Sequence, residues 1–152
     1  MKNSFNKLIS LIQEKVKLLM KVNELNLIQQ ELIKKSEFEK LLLSIDENGK
    51  TIDEILQTEE LVKVTYIEVE DDIKYERSTY DSEICKINEL NKKANILLKQ
   101  TIATNQANET DAIEKMNELK NNIKALNNNK KGLTAYSIMA TNVNSYYIDK
   151  KE

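Results

Sequence analysis

Histidine, proline and tryptophan are absent, glycine occurs twice, and cysteine and arginine once each. Each shortage excludes something. Without histidine, Cys/His zinc sites cannot be built, nor can the Glu-x-x-His motif of helical di-iron centres. Acid–base chemistry is left to carboxylates, lysines, tyrosines and Cys85. One cysteine rules out an internal disulfide framework. Arg77 is alone among 23 cationic residues and the net charge is −2. A nucleic-acid interface draws on a basic face with bidentate guanidinium groups, so no nucleic-acid partner is expected. No run approaches the ~20 apolar residues of a membrane span, so no membrane insertion is expected. Lys7, Lys15 and Lys17 break the apolar run that a signal peptide needs. The expected compartment is reducing and cytoplasmic.

What is present suits helices. Charged residues make up 32% of the 152 positions and aromatics 5%, the composition of a helical bundle or coiled coil. With no proline, and only Gly49 and Gly132, little interrupts a long helix. The organising stretch is 84–126, where apolar residues from Ile84 and Ile87 to Ile123 and Leu126 recur every three or four positions. That is the period of one amphipathic helix, roughly 65 Å long at ~1.5 Å per residue. A stripe of that length must be covered by other helices.

Two more helices are expected ahead of it. The first runs from about Ser4, a candidate N-cap, to Lys34. Its stripe is Phe5, Leu8, Ile9, Ile12, Val16, Leu19, Val22, Leu25, Ile28 and Leu32. Ser36-Glu37-Phe38-Glu39 reads as a capping box that opens the second helix. The next stripe is Phe38, Leu41, Leu42, Ile45, Gly49, Ile52 and Leu56. It favours one helix through Gly49, at ~1 kcal/mol relative to alanine, over an end at Gly49 and a restart at Thr51. Val62, Val64 and Tyr66 alternate as in a strand. No second strand is there to pair with them, however, and Val62, Tyr66, Val69 and Ile73 keep helical phase to about Tyr75. A reversal is expected between Arg77 and Ser82, where Ser78, Thr79, Asp81 and Ser82 offer N-caps. In the third helix, expected to end near Lys130, Asn105 and Asn108 fall on the seam, where polar residues either weaken packing but fix register or mark where helix partners run out.

The end of the chain differs. No charged residue occurs from Gly132 to Ile148, and Leu133, Tyr136, Met139, Val143 and Tyr147 share one helical face. The expected fold is all-α: an antiparallel, coiled-coil-like bundle of three long helices over 1–131, then a partly ordered apolar tail over 132–152.

Catalysis has little to stand on, and neither a cofactor nor a metal is expected. The acidic run Glu68, Glu70, Asp71 and Asp72 lacks the alternating oxygens and glycine of a calcium loop and reads as a solvated face. Cys85, beside Ile84 and without a histidine, reads as a buried or half-buried structural thiol. The candidate partner-binding residues are Ile113, Met116, Leu119, Ile123 and Leu126, on a half-helix expected to project beyond a hairpin of the first two. Leu133, Tyr136, Met139 and Val143 of the tail join them; the alternative is that the two stripes pack on one another or dimerise.

The order of segments resembles a known family. Ser36-Glu37-Phe38-Glu39-Lys40-Leu41 leads into a second helix with Ser44-Ile45-Asp46 and Ile52-Asp53-Glu54-Ile55. Ile87-Asn88-Glu89-Leu90 and Asn95-Ile96-Leu97-Leu98 follow in the third, then Leu133-Thr134-Ala135-Tyr136 and Tyr147-Ile148-Asp149-Lys150-Lys151. Over nearly the whole chain this is similar to flagellar export chaperones of the FlgN/FliT type. The resemblance implies a cytoplasmic helical chaperone without enzymatic activity. Such proteins capture the terminal amphipathic helix of hook-associated or filament-cap proteins, keep them unassembled and deliver them to the cytoplasmic domain of the export gate. Tyr136 is the nearest match to the family's gate-docking tyrosine, and a homodimer is compatible with the pattern. The alternative is a structural or adaptor coiled coil that works by oligomerising.

Overall fold

The computed structural model describes residues 2–125, and they form three helices: α1 (Lys2–Lys34), α2 (Phe38–Tyr75) and α3 (Asp81–Ala125). Among the described residues there is no strand. The expected all-α bundle of long helices is what is found. Leu126, the tail over 132–152 and the expected helix end near Lys130 lie outside the described residues.

The chain divides into two compact units. One holds the chain up to Asn23 with Lys50–Thr101; the other holds Glu24–Gly49 with 102–125. Each helix contributes a segment to both. In the first unit Phe5, Leu8, Ile9 and Ile12 pack with Val69, Ile84 and Ile87, and Val62, Ile73, Tyr80 and Leu90 lie against them. Further along α1, Val16 and Leu19 meet Ala94, with Ile55, Leu90 and Leu97 beside them. Rising numbers on α1 thus meet falling numbers on α2 and rising numbers on α3, so α2 is the antiparallel member. Lys15 Nζ reaches Glu59 Oε2 at 2.6 Å across this unit, and Thr101 Oγ1 donates to Asn23 Oδ1 at 2.6 Å.

In the second unit Ile33, Phe38, Leu41, Ile45, Ala112 and Met116 form the apolar core, with Leu32, Leu42 and Leu119 packed against it. Beside that core lies one buried asparagine from each helix. Asn48 Nδ2 donates to Asn26 Oδ1 at 2.9 Å, and Asn108 Nδ2 donates to the Asn26 carbonyl at 2.8 Å. The expected seam role of Asn108 is therefore met by a specific partner, whereas Asn105 is only half-buried.

The stripe of α1 needs correction in its last third. Phe5, Ile12, Leu19, Asn26 and Ile33 are seven residues apart and all buried; Leu8, Val22 and Gln29 are buried on a second line of the same repeat, with Lys15 half-buried between the first two. The seam keeps a strict seven-residue repeat and runs through Asn26 and Gln29. Following apolar residues alone leads off the seam, to Leu25, Ile28 and Leu32. Ile28 is exposed, and the other two are half-buried.

On α2 the helix runs unbroken through Gly49, which is buried, and through 61–70, where Thr65 and Val69 face the core. Leu56 and Tyr66, expected on the stripe, are exposed. The buried line is instead kept in part by hydroxyls, since Ser44, Thr51 and Thr65 are buried.

The first turn also departs from the capping-box reading. Ser36 has φ 57°, in the left-handed region. Its N–H donates to the Ile33 carbonyl at 3.0 Å, and that of Glu37 donates to the Leu32 carbonyl at 2.9 Å. These two bonds make a Schellman motif in which Ser36 closes α1 rather than opening α2. Glu37, whose carbonyl accepts from the Leu41 N–H at 3.0 Å, is the residue that caps α2. Ser4 lies inside the first turn of α1, not before it. The second reversal falls at residues 76–80, overlapping the expected window but starting one residue before it. Its cap is Tyr80, whose carbonyl accepts from the Ile84 N–H at 2.9 Å, not one of the four polar candidates. The Tyr80 ring stacks on Phe5, with centroids 4.5 Å apart and planes 26° apart, which ties the start of α3 to the start of α1.

Candidate functional site

The residues singled out on the second half of α3 do not share one environment. Met116 is buried in the core of the second unit, and Leu119 packs against that core. Ile113 and Ile123 are half-buried. The turn end of the α1–α2 hairpin covers α3 at 112–119, so this half-helix does not project uncovered as the sequence suggested. The reason is pairing: α3 starts level with the start of α1 and runs parallel to it, which brings its second half to the hairpin turn. Leu126, Leu133, Tyr136, Met139 and Val143 lie outside the described residues.

A groove of about 410 Å³ opens on the second unit between α1 and α3. Ile33 is its apolar floor, and Gln30, Lys34, Asp111, Glu114, Lys115 and Glu118 line it. Its charges are of both signs. Lys115 already lies 3.7 Å from Glu118, and nothing in the lining forms a nucleophile–base pair.

The other chemistry-bearing residues are dispersed. Glu68, Glu70 and Asp71 are exposed, as expected, but Asp72 is buried, because it falls seven residues after Thr65 on the inward line of α2. Among the described residues no group of three or more carboxylates or thiols is placed to hold a metal ion. Cys85 is exposed, which overturns the expectation of a buried or half-buried thiol. One helical step past Ile84 turns it about 100° away from the core. Tyr80 is the titratable group that stands out: partial burial raises the pKa of its hydroxyl, and the negative charges of Asp72, Glu76 and Glu83 push the same way.

The sequence reading missed the outward face of α2 within the first unit. Leu56, Glu60, Val64, Ile67, Asp71 and Tyr75 follow one another at steps of four, four, three, four and four, and all are exposed. The signal was in the chain. Once Val62, Thr65 and Val69 define the inward line, Leu56, Val64 and Ile67 can only face out.

The described architecture is that of a three-helix bundle with a polar layer in one of its cores. No protein-family model matches the chain, and neither a curated protein nor a solved structure does. Among the described residues no helix is long and apolar enough to cross a membrane.

Proposed function

We propose that the protein is a helical binding module that acts without chemistry of its own: a cytoplasmic export chaperone of the FlgN/FliT type. It holds the terminal amphipathic helix of a hook-associated or filament-cap protein and presents it to the export gate. One observation carries the reading. On α3, Ile113 and Ile123 keep part of their surface open in a helix that leads towards the uncharged stripe of Leu133, Tyr136, Met139 and Val143. A client helix would lay its apolar face on such a strip, and release would need no cofactor. The dispersed carboxylates and the exposed, unaccompanied Cys85 favour binding over catalysis.

The test is titration calorimetry of the purified chain against hook-associated and cap proteins, with a variant lacking 126–152 and with Ile123→Glu. Truncation further upstream would remove Met116 from the core and confound the result. One-to-one binding, abolished by the deletion and weakened about tenfold or more by Ile123→Glu, is the expected outcome. No binding to any of these proteins, with a large assembly on sizing, would replace the chaperone by the oligomerising adaptor.

A further inference from the structure

A second surface is independent of the tail and of the export reading. On the outward face of α2 in the first unit, the stripe Leu56, Glu60, Val64, Ile67, Asp71 and Tyr75 combines four apolar and two acidic residues. Its apolar members are well exposed: Leu56 by 60%, Val64 by 58%, Ile67 by 70% and Tyr75 by 74%. Leu61 and Glu68, seven residues apart, flank it and are exposed as well. Scattered apolar residues on a surface need no explanation, but a stripe at helical spacing across five turns is a different matter. The surrounding charge is one-sided. Over α2 in the first unit, residues 50–75, six carboxylates are exposed, on Asp53, Glu54, Glu60, Glu68, Glu70 and Asp71, against Lys50 at its start and the two lysines Lys63 and Lys74 within it. Lys63 lies 3.6 Å from Glu60, and Lys74 sits 5.3 Å over the Tyr75 ring, so both lysines are engaged within the face itself.

We infer that this face of α2 is a docking surface for a basic amphipathic helix of a partner protein. The stripe sets the geometry: about 28 Å of regularly spaced apolar side chains at ~1.5 Å per residue accepts a helix of similar length laid along it. The acidic rim sets the sign. Lysines and arginines flanking the partner's apolar stripe would meet Glu60, Glu68, Asp71 and their neighbours, giving both orientation and a fast, salt-sensitive encounter. The same rim repels nucleic acid and anionic lipid surfaces, which excludes those occupants on charge. The side chains concerned point away from the core, so the surface can be rewritten without unfolding the helix.

The experiment uses the full chain and a fluorescent helical peptide of about 18 residues with leucines on one face and lysines on the other. A shuffled peptide of the same composition, with no apolar face, is the control. Anisotropy should show binding of the amphipathic peptide, at least tenfold weaker binding of the shuffled one, and marked weakening of the former as salt rises. Val64→Lys combined with Ile67→Lys should reduce affinity at least tenfold at unchanged helix content by circular dichroism. The pair Leu27→Lys and Ile28→Lys, which alters exposed apolar residues of α1, should leave it unchanged. The proposal is overturned if neither peptide binds, if the two peptides bind equally, or if the α2 variant binds like the native chain. It is also overturned if sizing shows a native dimer that the α2 variant dissociates, since a second copy would then be what covers the face.

Discussion

Ser36 shows what one residue does when position and identity disagree. A Schellman closure asks its C′ residue for positive φ, where glycine is free and a residue with a Cβ is strained by about 1 kcal/mol. Here serine holds φ 57° because the two bonds to Ile33 and Leu32 and the placement of Phe38 in the core fix the turn. Ser36→Gly should therefore stabilise the fold by up to about 1 kcal/mol, read as a rise in thermal midpoint, whereas a β-branched residue there should lower it. A serine followed by glutamate three residues on reads locally as a helix start. Which of two abutting helices owns that serine depends on its φ, and φ here follows from the packing on either side.

At the scale of the helix, the decisive feature is that polar residues hold the seam. In α1 the seven-residue repeat survives at Asn26 and Gln29 where the apolar pattern leaves it, and α2 and α3 answer with Asn48 and Asn108. Buried amides cost desolvation and are retained where their partners are specific. A slip of any of the three segments would separate donors from acceptors, so the layer selects one register. Removing one member should show the asymmetry. Asn48→Ala leaves Asn26 Oδ1 without the 2.9 Å donor and should destabilise the protein by about 1–3 kcal/mol in chemical denaturation. Replacing Asn26, Asn48 and Asn108 together by leucine should cost less than the sum of the single losses, and should loosen the register seen by hydrogen exchange.

Over the whole molecule, electrostatics follow from an unusual inventory. With no histidine, the chain lacks the one side chain whose ordinary titration range is centred between about pH 5.5 and 7.5. Tyr80 shapes the alkaline limb. Its folded-state pKa is raised, first by burial and then by Asp72, Glu76 and Glu83, so the unfolded chain releases the proton first. Its contribution is complete below the unfolded value of ~10 and is lost as pH rises through the folded value. A tyrosinate absorbance titration should show a late-ionising component from Tyr80 in the native protein. Tyr80→Phe, which keeps the ring against Phe5, should remove both that late step and its share of the alkaline decline.

The pattern of apolar residues determined that the described residues form three long helices, that α2 ends near Tyr75, and that α2 passes unbroken through Gly49 and the β-branched stretch. Those are properties of period and of the absence of breakers, and both are local. What only the tertiary structure decided is which neighbouring residues face inward where two choices are one helical step apart. Ile28 yields to Asn26 and Gln29, Leu56 and Tyr66 yield to a line of hydroxyls, and Cys85 turns outward beside a buried Ile84. The physical reason is that hydrophobicity ranks residues one at a time, whereas a seam is fixed by the partners that meet on it. Three asparagines that can bond one another are a better inside than their individual transfer energies suggest, and the apolar side chains they displace become surface.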